Sequence, residues 1–455
     1  MPQVYITSLE GIVPVDVTKT FSAYLDFCYI ARKSTLTEED LDALNTALQR
    51  FHHYRVIFLE TGVRPEGFSL PRQHALVHYR KHIQNFGAPN GLCSSITESK
   101  HITAVKKPWR RSNRYNALQQ ILTINTRNDK LAAARVDFLS RGMLEGTCLY
   151  ETLHRLSRDQ DNNVDEESTS NSDPEGGDFN PDFDGESDHD EGDLSGPVDG
   201  LPIISEVSLG LKKGVCVCVC ESPWASIDVS TAPKYPTTLW ELGRHVNQQN
   251  LEDLVREFLF YQANPQETSL PPANSIHWLT AGIAHLSVFH SANAVFCAPN
   301  NPSGIAGMYR ETIRSTPRWR SGGVVSPRRD CIFLDNGSDE PGVRGADVAR
   351  VHLFFSFATE ERVYPCALVH NFHLTFTDPD PDNGLWVVEP TYDESGSRHM
   401  SVVHVDSIVR AAHLLPVFQG SSTLPPQLTF SQTLDSFRAF YINKYIDYHA
   451  FETMF

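Results

Sequence analysis

Apolar residues recur at three- and four-residue spacing through the early part of the chain, the period of a helix with one buried face. "TKTFSAYLDFCYIARKS" shows it first. "STLTEEDLDALNTALQRFHHYRVIFLETG" follows, where Thr37 ahead of Glu38, Glu39 and Asp40 makes a helix start with acids near the positive dipole end. Gly62 and Pro65 stop that helix. "SLPRQHALVHYRKHIQNFG" predicts another amphipathic helix closed by Gly87, "APNG" a turn, and a last helical stretch runs from about Asn113 through "LQQILTINTRNDKLAAARVDFLSRGML".

The period changes downstream. "YPTTLWELGRHVNQQNLEDLVREFLFYQANP" predicts one or two helices, and from about Ile276 to Phe418 short β-like runs take over. "LSVFHSANAVFCAP", "DCIFLD", "ADVARVHLFFSFA", "RVYPCALVHNFHLTF", "GLWVVEP" and "SVVHVDSIVRAAHLLPVF" are separated by "NPSG", "DNGSDEPG" and "DPDPDNG". That is the pattern of a small antiparallel barrel or sandwich. "SQTLDSFRAFYINKYIDYHAFE" reads as a closing, aromatic-rich helix. The predicted class is α+β: a mostly helical module over 1–150, a linker, and a β-rich domain over 238–455 flanked by helices.

Charge locates the linker. The net charge is -17, yet fifteen Asp and Glu and no Lys or Arg lie between Asp159 and Asp193. Residues 1–150 carry nineteen Lys and Arg against thirteen Asp and Glu, so the whole-chain charge does not exclude a nucleic-acid partner. The stretch 151–205 cannot bury enough apolar surface to offset its ordering entropy and is expected to be disordered. An irregular linker over 206–237 follows it. There "KKGVCVCVCESPW" alternates Val with Cys216, Cys218 and Cys220. Such alternation does not match the paired Cys spacing of zinc sites; a GT dinucleotide tract would encode it, which suggests a retained intron or microsatellite. Nine irregularly spaced Cys, no basic and apolar leader and no long apolar run predict an intracellular, reduced location without a membrane span.

Two basic and aromatic runs are the candidate chemistry. "SSITESKHITAVKKPWRRSNRYNALQQIL" sets Glu98 ahead of Lys100, Lys106, Lys107, Arg110, Arg111 and Arg114, with Trp109 and Tyr115 between them. Glu98 reads either as a metal-holding acid beside a nucleic-acid backbone or as the first-turn acid of an ordinary helix. The bases read as phosphate contacts with stacking surfaces between them, as a solvated face, or, in "KKPWRR", as a nuclear import signal. "GMYRETIRSTPRWRSGGVVSPRRD" holds Arg310, Arg314, Arg318 and Arg320; Pro317, Pro327 and the Gly pair make it a loop, which either binds nucleic acid or an acidic partner or is a solubilising loop that pairs with the acidic linker. The histidine pairs in "FHHYR", "HALVHYRKH" and "HLSVFH" lack any metal-site motif, and no nucleophile elbow, Walker loop or dinucleotide fingerprint is present. No metal site, cofactor or small-molecule substrate is therefore expected.

The stretch "AYLDFCYIARKSTLTEEDLDALNTALQRFHHYRVIFLETGVRPEGFSLPRQHALVHYRKHIQNFGAPNGLCSSITESKHITAVKKPWRRSNRYNALQQIL" closely resembles the C-terminal part of Plavaka-type transposases, which belong to CACTA-like DNA transposons of mushroom-forming fungi. "YPTTLWELGRHV", "HSANAVFCAPNNPSGIAGMYRETIRSTPRWR", "GVRGADVARVHLFFSF", "YPCALVHNF" and "FYINKYIDYHAFE" are similar to the tail of the same proteins. The resemblance implies an RNase H-fold enzyme whose Asp-Asp-Glu triad holds two Mg2+ ions, with Glu98 matching the third acid. The chain begins within the expected helical insertion, and Asp16, Asp26, Asp40 and Asp42 belong to turns or helices, so both upstream Asp are missing. One carboxylate does not assemble a two-metal site, and Mg2+ is expected only for an intact family member.

The reading that results is a catalytically incomplete transposase remnant, N-terminally truncated and nuclear rather than cytoplasmic. It is expected to bind DNA non-specifically through the two basic runs. The alternative is a protein- or chromatin-interaction module built on the β-rich domain, whose Tyr364, Phe372 and Trp386 are either core or a recognition cage. Basic proteins are further expected partners of the acidic linker.

Overall fold

The computed structural model describes residues 2–89, 101–141, 196–197, 205–209, 235–267, 269–271, 276–280, 282–301, 307–321, 324–359, 362–418 and 428–455. Two compact units result. One comprises Met1–Ser99, Leu194–Val215 and Asp228–Phe455, the other Lys100–Asp193 and Cys216–Ile227. Most of the linker 151–205 and the Val-Cys tract lie outside the described residues.

The class is α+β. In the larger unit fourteen strands are described: β1 Gly196–Pro197, β2 Ser205–Leu209, β3 Ala284–Phe289, β4 Ser291–Cys297, β5 Met308–Ser321, β6 Val324–Arg329, β7 Cys331–Asp335, β8 Ala346–Ala358, β9 Val363–Leu374, β10 Trp386–Pro390, β11 Met400–His404, β12 Ile408–Ala412, β13 Leu414–Pro416 and β14 Phe440–Ile442. Their pairings are antiparallel throughout the described residues.

A nearly closed barrel forms from five of them. β7 pairs β8, β8 pairs β9, and β9 pairs β11; a single 3-10 turn, Val405–Ser407, then leads into β12, which returns to β7. β8 is long enough to serve two neighbours on one edge, β7 along Ala346–Arg350 and β3 along Phe354–Ala358. Its "VHLFFSF" run is apolar on both faces because both faces are covered. Phe355 and Phe357 pack with Leu254 and Phe258 of helix Leu251–Ala263, while Phe354 and Val351 pack with Ile313, Ile332 and Ala367. β10, β14 and β13 continue the barrel sheet, and β4 and β5 form a second sheet flanked by β1 and β2.

The N-terminal helices form as their periodicity predicts. Thr37 and Asp40 make a reciprocal capping box on helix Glu38–Tyr54. Helix Val15–Ile30 is buried on two sides. Ala23, Phe27 and Ile30 meet Leu41, Leu44 and Phe51, whereas Leu25 and Tyr29 meet Leu385, Val387, Tyr441 and Tyr445. This second face ties residues 1–99 to the sheet, so the helical stretch 1–150 is divided near residue 99 between the two units.

Three sequence expectations need correction. The arginine-rich stretch 308–329 is the β5–β6 hairpin and not a loop; a register shift between Thr316 and Trp319 accommodates Pro317 where it removes no ladder bond. The closing segment is not one helix. It splits into helix Thr433–Ser436, strand β14 and helix Tyr448–Met454, because Phe440, Tyr441 and Ile442 pair with Val388, Val387 and Trp386. The stretch 206–237 is not wholly irregular either, since β2 pairs β4. No helix among the described residues is long and apolar enough to cross a membrane.

Candidate nucleic-acid interface

The first basic run is a helical hairpin in the smaller unit. Ile102–Lys106 forms a π-helical turn that passes directly into helix Lys107–Arg111, with Pro108 buried near its start. Helix Ala117–Ser140 follows, and Asn125 Nδ2 donates to the Ala104 carbonyl over 2.8 Å, fastening the two arms together.

The turn between them is built from side chains. Asn113 Oδ1 accepts from the Tyr115 amide at 3.0 Å and from Gln120 Nε2 at 2.6 Å, and Gln120 Oε1 accepts from the Asn113 amide at 3.1 Å. Ser112 Oγ donates to the Trp109 carbonyl and accepts from the Arg114 amide. Arg114 and Asn116 sit in the left-handed region at φ 66° and 47°, a conformation that costs a residue with a Cβ about 1–2 kcal/mol. The interlocked amides hold it.

The result is a dense cationic display. Lys106, Lys107, Arg110, Arg111 and Arg114 are all exposed, and among the described residues no carboxylate pairs with any of them. Trp109 is 43% exposed and Tyr115 77%, so both rings are presented and not packed away. Lys106 and Arg110, and Lys107 and Arg111, stand four residues apart on the helical run; each like-charge pair costs a few tenths of a kcal/mol, about 0.2–0.5. Arg110 and Arg111 recover part of that at the negative end of the helix.

The second run is arranged differently. Arg314 is buried, with its guanidinium 4.8 Å from the Trp319 ring centroid, and Arg328 sits on the same ring at 4.8 Å while bonding Asp330 at 2.9 Å. Arg310 is half-buried and Arg318 exposed. Arg320 lies in β5, and its side chain is outside the described residues. The backbone of β1, just past the acidic run, pairs with Tyr309 and Arg310.

Glu98 and Lys100 lie outside the described residues. Asp16, Asp26, Asp40 and Asp42 lie in helices Val15–Ile30 and Glu38–Tyr54. Among the described residues no three His, Cys, Asp or Glu side chains converge as metal ligands. Phe372 is buried in the core, and Tyr364 and Trp386 pack partly buried against it.

Sequence reasoning missed Asn113 and Gln120, whose seven-residue separation carries no recognisable motif. It also missed an open cleft of about 760 Å³ on the larger unit, lined by Glu257, Tyr261, Asp347, Asn371, His399 and His404 among others. Asn371 Nδ2 lies 3.0 Å from both His399 Nδ1 and Ser401 Oγ there. Burial pushes the Asp347 carboxyl up and the His404 imidazole down. Comparison with protein-family models, curated proteins and solved structures finds no match.

Proposed function

We propose that this protein binds nucleic acid through its phosphate backbone, without sequence preference, at the helical hairpin 106–115. The observation that carries this reading is five exposed cations on nine residues with no carboxylate partner among the described residues. Lys106, Lys107, Arg110, Arg111 and Arg114 neutralise successive phosphates, and Trp109 and Tyr115 offer flat surfaces to unpaired bases. A bound polyanion also removes the like-charge cost inside the helix. The transposase resemblance supports the same reading, since Glu98, the match to the family's third acid, stands just ahead of this hairpin. Arg314 and Arg328, which clasp Trp319, are assigned to the stability of the β5–β6 hairpin.

The test is a filter-binding titration with random-sequence duplex and single-stranded DNA over a range of salt. Five phosphate contacts on duplex give a slope of log K against log salt of about -4 to -5. Replacing Lys106, Lys107, Arg110 and Arg111 with Ala is expected to weaken binding by about ten-fold or more and to flatten the slope by about 3 to 4. Unchanged affinity and slope in that variant reject the interface.

A second reading, a protein-interaction module, is favoured by the cleft against helix Leu251–Ala263, whose mixed lining of apolar and polar side chains suits an extended peptide. Glu257→Lys with Asn371→Ala would abolish peptide capture on that reading and leave DNA binding intact.

A further inference from the structure

One side of the barrel gathers more positive charge than it neutralises. Arg350 on β8 stands opposite His370 on β9. His352 is the extra residue of a bulge in β8, between Val351 and Leu353, and its ring centroid lies 6.3 Å from that of His370. Arg398, from the turn ahead of β11, reaches the same place, and Arg329 at the end of β6 is close enough to feel both Arg350 and Arg398. Among the described residues one carboxylate answers them: Asp435 accepts from Arg350 at 2.8 Å and from Arg398, and its charge reaches Arg329.

The cluster runs from buried to half-exposed side chains. Arg350 is 5% exposed and His370 1%, while the Arg398 and Asp435 side chains are 31% and 38% exposed. On the buried side Arg350 Nε, His352 Nε2 and His370 Nδ1 have no hydrogen-bond partner among the described residues. Burying such groups unpaired is costly, and a bound partner would remove the cost. Three guanidiniums against one carboxylate leave two positive charges, the complement of a dianion.

His370 narrows the choice of dianion. Its Nε2 lies 3.2 Å from the Thr391 carbonyl, which only accepts, so the ring proton sits on Nε2 and Nδ1 is an acceptor. Burial and the nearby Arg398 hold this imidazole down to about 4, which keeps it neutral at pH 7. Sulfate has no proton to give it; hydrogen phosphate has one.

We propose that Arg329, Arg350 and Arg398, backed by His370, form an oxyanion site that takes hydrogen phosphate. The guanidiniums donate to the unprotonated oxygens, and the phosphate hydroxyl donates to His370 Nδ1. The site is independent of the nucleic-acid reading, because it lies in the larger unit and uses none of the residues 106–115.

The experiment is thermal denaturation of the full chain at pH 7 in inorganic phosphate, phenyl phosphate, sulfate or chloride at matched ionic strength. Inorganic phosphate at ten times its dissociation constant is expected to raise the midpoint by about 2–4 °C over chloride and over sulfate. Phenyl phosphate, mainly a dianion without a proton at pH 7, is expected to do no more than sulfate, and a rise equal to that of inorganic phosphate overturns the proposal. Arg329→Gln and Arg398→Gln are each expected to weaken phosphate at least ten-fold, read by the midpoint and by phosphorus-31 line broadening of inorganic phosphate. The Arg398 change at the rim and the line broadening on the unaltered chain keep the test decisive should Arg329→Gln misfold. The Lys106, Lys107, Arg110 and Arg111 to Ala variant retains the phosphate effect. Sulfate matching phosphate, an unchanged response in Arg398→Gln, or loss of the effect in that quadruple variant overturns the proposal.

Discussion

The Tyr445 hydroxyl donates to the Asp26 carboxylate over 2.7 Å, across 419 residues of chain. Tyr445 is fully buried, and the Tyr29 hydroxyl donates to its carbonyl. Lys444 Nζ lies 2.8 Å from the same Asp26, with Arg50 at 3.4 Å. Helix Val15–Ile30 and the turn before helix Tyr448–Met454 thus share one polar knot inside an aromatic cluster of Tyr29, Tyr445, Tyr448 and Phe451.

Removing that hydroxyl is expected to be costly but survivable. Tyr445→Phe keeps the ring packing and leaves Asp26 with Lys444 and Arg50, so a loss of about 1–2 kcal/mol in urea unfolding is expected. The larger consequence concerns fragments. Residues 228–455 expressed alone uncover Leu385, Tyr441 and Tyr445, and are expected to bind a hydrophobic dye strongly where the full chain does not.

Arg410 carries the heaviest electrostatic load of the larger unit. Its side chain is 1% exposed, bonds Asp447 at 3.1 Å and Glu311 at 3.3 Å, and lies over Phe296. Burial pushes the Glu311 carboxyl up against the pull of Arg410; for Asp447 burial pushes the same way, yet Arg410 wins and holds it down. Arg410→Met leaves two carboxylates enclosed without a cation and is expected to cost about 3–5 kcal/mol by urea unfolding. Adding Glu311→Gln and Asp447→Asn to it restores most of the loss; a triple variant no more stable than Arg410→Met defeats this account.

Acid is expected to weaken the fold before the carboxylates titrate. Burial, followed by the charge of Arg398, holds His370 down to about 4, and burial, followed by Arg410, holds His449 down to about 4. Unfolded histidine titrates near about 6.5, so the unfolded chain takes up protons first. The stability these two supply is complete above pH about 6.5 and disappears as the pH falls toward 4. Glu311, whose carboxyl is raised, acts with the opposite sign, so the informative quantity is a difference. A His370→Gln, His449→Gln variant is expected to show a flatter thermal midpoint between pH 6.5 and 4 than the parent, and parallel curves defeat the assignment.

Much of the fold was legible in local pattern. Periodicity and Thr37 predict the N-terminal helices, and the β runs separated by turn residues predict the small barrel. What escaped was decided by pairing. "YRETIRSTPRWRS" hides a strand because Arg314 folds over the Trp319 ring, and Pro317 falls at a register shift. "FYINKYI" has helical aromatic spacing, yet β10 captures it. The basic run of the candidate interface was visible as composition; that its bases lack carboxylate partners among the described residues was not, since salt bridges depend on neighbours distant in sequence. The cluster around Arg350 could not be found at all, because its members are spread from Arg329 to Asp435.

Arg114 separates stability from binding in one substitution. It is held at φ 66° by Asn113 and Ser112, and its side chain is exposed. Glycine adopts that backbone without the Cβ clash but brings a more flexible unfolded chain, so Arg114→Gly is expected to change stability by between zero and a gain of about 1 kcal/mol. The same change removes one phosphate contact. Nucleic-acid affinity is then expected to fall while the slope of log K against log salt flattens by about 1. Arg114→Lys keeps the charge and the strain, and is expected to hold the parent's slope. Circular dichroism melting and salt-dependent filter binding read the two effects separately. A drop in stability paired with unchanged salt dependence would mean that this turn serves the fold alone.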